Sequence, residues 1–129
     1  MREVKNKKIV TEFAPKAIGP YSQAIDLGDL VFVSGQIPLD PETMEVVGET
    51  IEEQTTQVMR NLEAILKAAD LSFENVAKFT IYLTDLADFD AVNKTYAAFL
   101  TEPYPARATV EVCKLPKDVK VEIDLIAKR

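Results

Sequence analysis

A chain of 129 residues with 47 % hydrophobic and 28 % charged positions is sized and balanced for one globular domain, residues 1–129. Its 15 Lys and Arg against 21 Asp and Glu give a formal charge of −6, which repels phosphate backbones, so no nucleic-acid partner is expected. The absence of histidine and the single cysteine, Cys113, exclude a Ser-His-Asp triad, a His-ligated zinc, an intrachain disulfide and a thiolate cluster, and no metal site is expected.

In chain order, the basic start Met1–Lys8 is not followed by an apolar run, so it does not read as a secretory leader. No stretch approaches the roughly 20 apolar residues of a membrane span, and the lone cysteine suits a reducing compartment, so a cytoplasmic protein is expected. Ile9 to Phe13 reads as a short strand closed by Ala14-Pro15, and Tyr21 to Leu27 as a second after the Ile18-Gly19-Pro20 turn. Leu27-Gly28-Asp29-Leu30 has hairpin chemistry. Leu30 to Val33 is apolar without a break, the mark of a strand covered on both faces. A loop containing Pro38 and Pro41 follows, from Gly35 to Gly48.

Thr50 and Glu53 then form a capping box. Ile51, Thr55, Val58, Leu62, Ile65 and Ala69 recur at spacings of four and three, predicting a helix. Asn75 to Asp85 alternates as a strand, and a second helix starts near Asp88 with Phe89, Val92, Tyr96, Phe99 and Leu100 before Pro103 stops it. Arg107 to Cys113 and Val119 to Ala127 are two further strands, joined through Leu115-Pro116-Lys117-Asp118. The order β-β-β-α-β-α-β-β predicts an α+β domain with a mixed sheet and both helices on one face.

Alternation assigns Phe79, Ile81, Leu83, Ala108, Val110, Val112, Val121, Ile123 and Leu125 to the helix side. Thr80, Tyr82, Thr84, Arg107, Thr109, Glu111, Cys113, Glu122 and Asp124 then fall on the other side. That side reads either as a solvated face or as a surface for self-association. The two-sided apolar run at Leu30–Val33 and the expected half-burial of Tyr82 and Cys113 favour association.

Arg107 stands out from the residues alone. It opens a strand just after Tyr104-Pro105-Ala106, and a guanidinium at a strand end can grip a carboxylate through two parallel bonds. The competing reading is a surface salt bridge. Glu122 is expected on the same face, on the adjacent strand if the last two strands pair as a hairpin, either as a structural partner or as a group that polarises water. Tyr21 reads as packing or pocket lining, and Asn93 as a loop cap or a site residue. Ser34-Gly35 ends an apolar strand where a ligand could approach the backbone. Cys113 reads as a small buried apolar residue, because no base is present to activate it.

The segments Ile18-Gly19-Pro20-Tyr21-Ser22-Gln23-Ala24, Val33-Ser34-Gly35-Gln36-Ile37-Pro38 and Tyr104 to Val112, followed by Leu115-Pro116-Lys117-Asp118-Val119-Lys120-Val121-Glu122, resemble the Rid/YjgF family from about Ile9 to Lys128. The resemblance implies a chorismate-mutase-like α+β fold and a homotrimer with a central barrel and ligand clefts between subunits. It implies cofactor-free hydrolysis of 2-iminobutanoate and 2-iminopropanoate to 2-oxo acids and ammonia, downstream of pyridoxal-phosphate-dependent dehydratases. Arg107 matches the arginine that clamps the substrate carboxylate, and Glu122 the glutamate that positions water. Tyr21, Ser34, Gly35 and Asn93 match pocket residues. Thr109 occupies the place where some members carry a cysteine, which leaves imine chemistry untouched. A non-catalytic carboxylate-binding trimer would need the same arginine; an endoribonuclease or chaperone-like role is a further alternative, and the missing histidine and the −6 charge weigh against the nuclease.

Overall fold

The computed structural model describes residues 6–129, so the first five residues of the basic start lie outside the description. Strands β1 (Lys7–Ile9), β2 (Ala24–Asp26) and β3 (Leu30–Gln36) precede helix α1 (Ile51–Ala68). Strand β4 (Val76–Leu83), helix α2 (Phe89–Ala97), β5 (Ala106–Glu111) and β6 (Val121–Lys128) follow. The six strands form one sheet in the order β1-β2-β3-β6-β4-β5. All neighbours are antiparallel except β4 and β5, which run parallel across the α2 connection. No helix among the described residues is long and apolar enough to cross a membrane.

Local chemistry fixes the best-predicted pieces. Thr50 accepts the amide of Glu53 through its hydroxyl while the Glu53 carboxylate accepts the Thr50 amide, closing the capping box that starts α1. Gly28 takes φ 103° in the β2–β3 hairpin, where the Leu27 amide donates to the Leu30 carbonyl at 2.8 Å. Several elements are shorter than expected, among them β2, which covers Ala24–Asp26 of the expected Tyr21–Leu27, and β4, which stops at Leu83 short of Asp85. The chain turns at Thr11 to Ala14 instead of extending through Phe13, and α2 ends at Ala97, with Phe99 and Leu100 in the following turn.

Both helices cover one face, as expected. Val31, Val33, Phe79, Ile81, Leu83, Val121, Ile123 and Leu125 meet Val58, Met59, Leu62, Ile65 and Leu66 of α1 and Val92 and Tyr96 of α2. Phe79 stacks edge-on against Tyr96 with centroids 5.1 Å apart. The other face keeps Phe32 at 42 % and Val110 at 43 % exposure, beside half-buried Tyr82, Asp124 and Ile126.

The last two strands are a correction. They form no hairpin: β6 inserts between β3 and β4, and β5 pairs with β4 alone. Every second residue of β6, from Val121 to Ala127, is buried, so this strand gains most from a central place. In β5 no residue is fully buried, which suits an edge. The register pairs Phe79 with Arg107, Ile81 with Thr109 and Tyr82 with Val110. Arg107, Thr109 and Glu111 therefore share the helix side, and Ala108 and Val110 the open side, the reverse of the expected assignment. Cys113 is exposed beyond the end of β5, not buried.

Candidate functional site

Arg107 lies on the helix side of the edge strand, against α2. Its guanidinium donates to Asn93 Oδ1 at 2.5 Å and lies 5.3 Å from the Phe89 ring centroid and 5.4 Å from that of Tyr96. Phe89, Asn93 and Tyr96 are spaced four and three residues apart, which puts them on one helix face and builds an aromatic bed with an amide on it. Burial raises the Tyr96 hydroxyl pKa, and the arginine charge opposes that shift. Asn93, Tyr96, Ala97, Tyr104, Pro105 and Arg107 line a concavity of about 450 Å³. The partner of Arg107 is an amide, so the guanidinium keeps donors for an incoming anion. Thr109 sits two residues further along the same face, and its buried hydroxyl has no partner among the described residues.

Glu122 belongs to a second cavity, of about 420 Å³, lined also by Tyr21, Gly35, Gln36, Ile37 and Lys117. It pairs across the sheet with Tyr82, on the open side. A Cβ at Gly35 would fall 2.2 Å from Glu122 Oε2, so the missing side chain is what lets the carboxylate lie against β3. Burial pushes the Glu122 carboxyl pKa up, and the charge of Asp124 pushes it further in the same direction. Asp124 itself accepts a bond from the Tyr82 hydroxyl at 3.1 Å. Tyr21 is 49 % exposed at this cavity rather than packed in the core.

Tyr21, Gly35 and Glu122 are thus brought together, and so are Asn93 and Arg107, but the two groups are separate. Glu122 and Arg107 occupy opposite faces of the sheet, and their concavities share no lining residue. The expected common face is overturned, because β5 enters the sheet one residue out of the assumed phase. Ser34 is in neither lining; its hydroxyl donates to the Ser22 carbonyl at 2.6 Å and ties β3 to the segment before β2. Sequence reasoning missed Lys16, Ile18, Ile37, Leu39, Met44 and Lys117 at the glutamate cavity. The Phe89–Asn93–Tyr96 spacing was the one local signal that could have placed Arg107 on α2.

The structure is thus a small α+β domain with an edge arginine against α2 and a half-buried carboxylate in a separate cavity on the other sheet face. The family model described as Endoribonuclease L-PSP matches residues 11–129, and the chain belongs to that family, the Rid/YjgF family. The 2-iminobutanoate/2-iminopropanoate deaminase of Salmonella typhimurium is 51 % identical over 127 residues, covering 96 % of this chain and 98 % of the relative. The solved structure of Escherichia coli TdcF with bound serine superposes with a TM-score of 0.91 at 47 % identity, covering 95 % of this chain and 98 % of that one. RidA from the Antarctic bacterium Psychrobacter sp. gives a TM-score of 0.92 at 48 % identity, with 95 % and 99 % covered.

Proposed function

We propose that this chain is a cofactor-free 2-iminobutanoate/2-iminopropanoate deaminase, one domain over residues 1–129, working in the cytoplasm at sites completed between subunits of a homotrimer. The observation that carries the reading is the separation of Arg107 from Glu122 onto opposite sheet faces. A small acid held by the first and hydrolysed beside the second must meet Arg107 of one subunit and Glu122 of the next. The open face, where Phe32 and Val110 are uncovered in one chain beside Tyr82 and Asp124, supplies a surface for that association, and a barrel of three such sheets would bury it. Relatives that carry the deaminase name at about half identity point the same way.

In this mechanism the carboxylate of the 2-imino acid takes two parallel bonds from Arg107, whose plane is held by Asn93 and the rings of Phe89 and Tyr96. Tyr21 and Gly35 shape the wall on the glutamate side, Ser34 holds β3 beside it through its bond to the Ser22 carbonyl, and Thr109 contributes backbone next to the arginine. Water attacks the imine carbon while Glu122 takes its proton and passes it to the imine nitrogen, giving a carbinolamine. Glu122 then relays the hydroxyl proton to the amine as the C–N bond breaks, releasing ammonia and the 2-oxo acid. Burial suits Glu122 to this exchange, since a carboxyl with a raised pKa returns a proton more readily near neutrality. The imine carbon is already electrophilic, so holding and aiming the reactants supplies most of what is needed. The substrates are those released by pyridoxal-phosphate-dependent dehydratases acting on serine and threonine.

The test couples the protein to a threonine dehydratase and follows imine decay with ammonia release. Faster decay that scales with added protein supports the deaminase. Binding of 2-oxobutanoate without acceleration would overturn it in favour of a carboxylate-binding regulatory trimer.

A further inference from the structure

We propose that Asn61, a buried amide on the core face of α1, is a positioning residue that sets how closely the Glu122 cavity fits the carbon chain of its substrate. The inference rests on the imine-hydrolysis reading above. Asn61 is 1 % exposed and lies in the row of Val58, Leu62 and Ile65, where an apolar side chain would pack without any polar group to satisfy. Its Nδ2 donates to the carbonyls of Leu39 at 3.0 Å and Ile37 at 3.3 Å. Its Oδ1 accepts from Gln57 Nε2 at 2.9 Å, and the same Gln57 nitrogen reaches the Leu39 carbonyl at 3.4 Å. Both donors and the acceptor of the buried amide are therefore engaged, which is the condition under which a buried polar group rigidifies its surroundings.

What this network fastens is the chain just beyond β3. The pairing of β3 with β6 ends at Gln36 opposite Ile123, and Pro38 has no amide to continue a ladder. Beyond Gln36 the backbone ties are local: an isolated Leu39–Val46 bridge, the Leu39 amide on the Ile37 carbonyl at 2.7 Å and the Val47 amide on the Pro38 carbonyl at 2.8 Å. The amides of α1 hold Ile37 and Leu39 where the sheet cannot. These two residues, with Ile18 and Met44, form the apolar lining of the cavity that contains Glu122. A 2-imino acid offers a carboxylate, a reactive carbon and an alkyl chain. Arg107 and Glu122 account for the first two, and the apolar wall is left for the third. A hydrophobic pocket reads one methylene only as well as its wall keeps its place, so the residue that pins the wall governs the selectivity.

The experiment compares kcat/KM for 2-iminobutanoate and 2-iminopropanoate in the native protein, in Asn61→Leu and in Gln57→Met. The native protein should favour the longer substrate by about 10-fold, the usual discrimination for one methylene in a fitted pocket. Both variants should bring that ratio several-fold closer to one. A native protein with no preference, or variants that slow both substrates equally and keep the ratio, would overturn the proposal, because a merely structural role lowers activity without changing selectivity. If Asn61→Leu does not fold, Gln57→Met decides alone, since it removes only the bonds made by a half-buried side chain. If the native protein hydrolyses neither imine, the deaminase reading fails, and calorimetric binding of 2-oxobutanoate against 2-oxopropanoate decides the role of Asn61. A preference lost in the variants supports it, and one retained overturns it.

Discussion

Gly35→Ala isolates the geometry of the glutamate site, because the backbone there does not need a glycine: only Gly28 and Gly48 among the glycines take positive φ. The requirement is space. The added methyl would stand 2.2 Å from Oε2, 3.0 Å from Cδ and 3.2 Å from Cγ of Glu122. Non-bonded heavy atoms settle at roughly 3.5 Å, so the carboxylate must retreat by about 1 Å or more. The clashing group is the far end of a flexible side chain, so the stability cost should sit at the low end of the ~1–3 kcal/mol typical of overpacking. A misplacement of ~1 Å at a reacting group can cost roughly 10²-fold in rate, within the 10²–10⁴-fold that a positioned acid–base group contributes. The coupled dehydratase assay, with a melting curve and oligomer mass on the same sample, should show slow turnover in a folded protein. In a Glu122→Ala background the same Gly35→Ala change should cost almost nothing further, since no carboxylate remains to displace. Native turnover by Gly35→Ala, or a full additional loss in the Glu122→Ala background, would refute the account of why Gly35 is there.

Arg107→Ala should remain folded but weaken binding of 2-oxobutanoate by roughly 10- to 150-fold, the range for a lost charge-assisted bond, with Arg107→Lys less impaired; normal binding by Arg107→Ala, measured calorimetrically, would return this residue to the status of a surface cation. Light scattering coupled to gel filtration should report three times the 14.4 kDa chain mass, and a concentration-independent monomer would end the shared-site reading. Cys113, exposed beyond β5 and in neither concavity, should be dispensable, so Cys113→Ser should turn over imines at the native rate. Asp26 is held below its usual pKa, first by the bond donated from Arg129 at 2.6 Å and then by the Gly28 amide. Its stabilising effect is therefore present above the ordinary aspartate pKa and is lost as pH falls through the lowered value. Asp26→Asn should lower the melting temperature at neutral pH, and the gap to the native protein should close in acid; a gap independent of pH would contradict this assignment.

Features decided by neighbours in sequence were legible in the sequence. The capping box needs only Thr50 and Glu53, the β2–β3 turn needs Gly28 at positive φ, and the period of α1 needs only its own apolar row. Arg107, Glu122, Tyr21, Gly35 and Asn93 could be nominated from residue type and family resemblance, and each lines one of two concavities. Which of them meet was decided elsewhere. Side chains alternate along a strand, so a strand entering the sheet one residue out of phase turns every group to the other side; β5 alternates clearly, but at an edge with no residue fully buried its apolar Ala108 and Val110 take the open side, so its pattern alone assigns the wrong phase. Its partner is β4, reached through α2, while β6 crosses to the middle because its buried row fits there. Only that long-range pairing set Arg107 on the bed of Phe89 and Tyr96 and left Glu122 on the opposite face. The same holds for Asn61, whose spacing along α1 marks it as a core position but whose partners, Ile37 and Leu39, lie 24 and 22 residues away and are found only when the loop folds back over the helix.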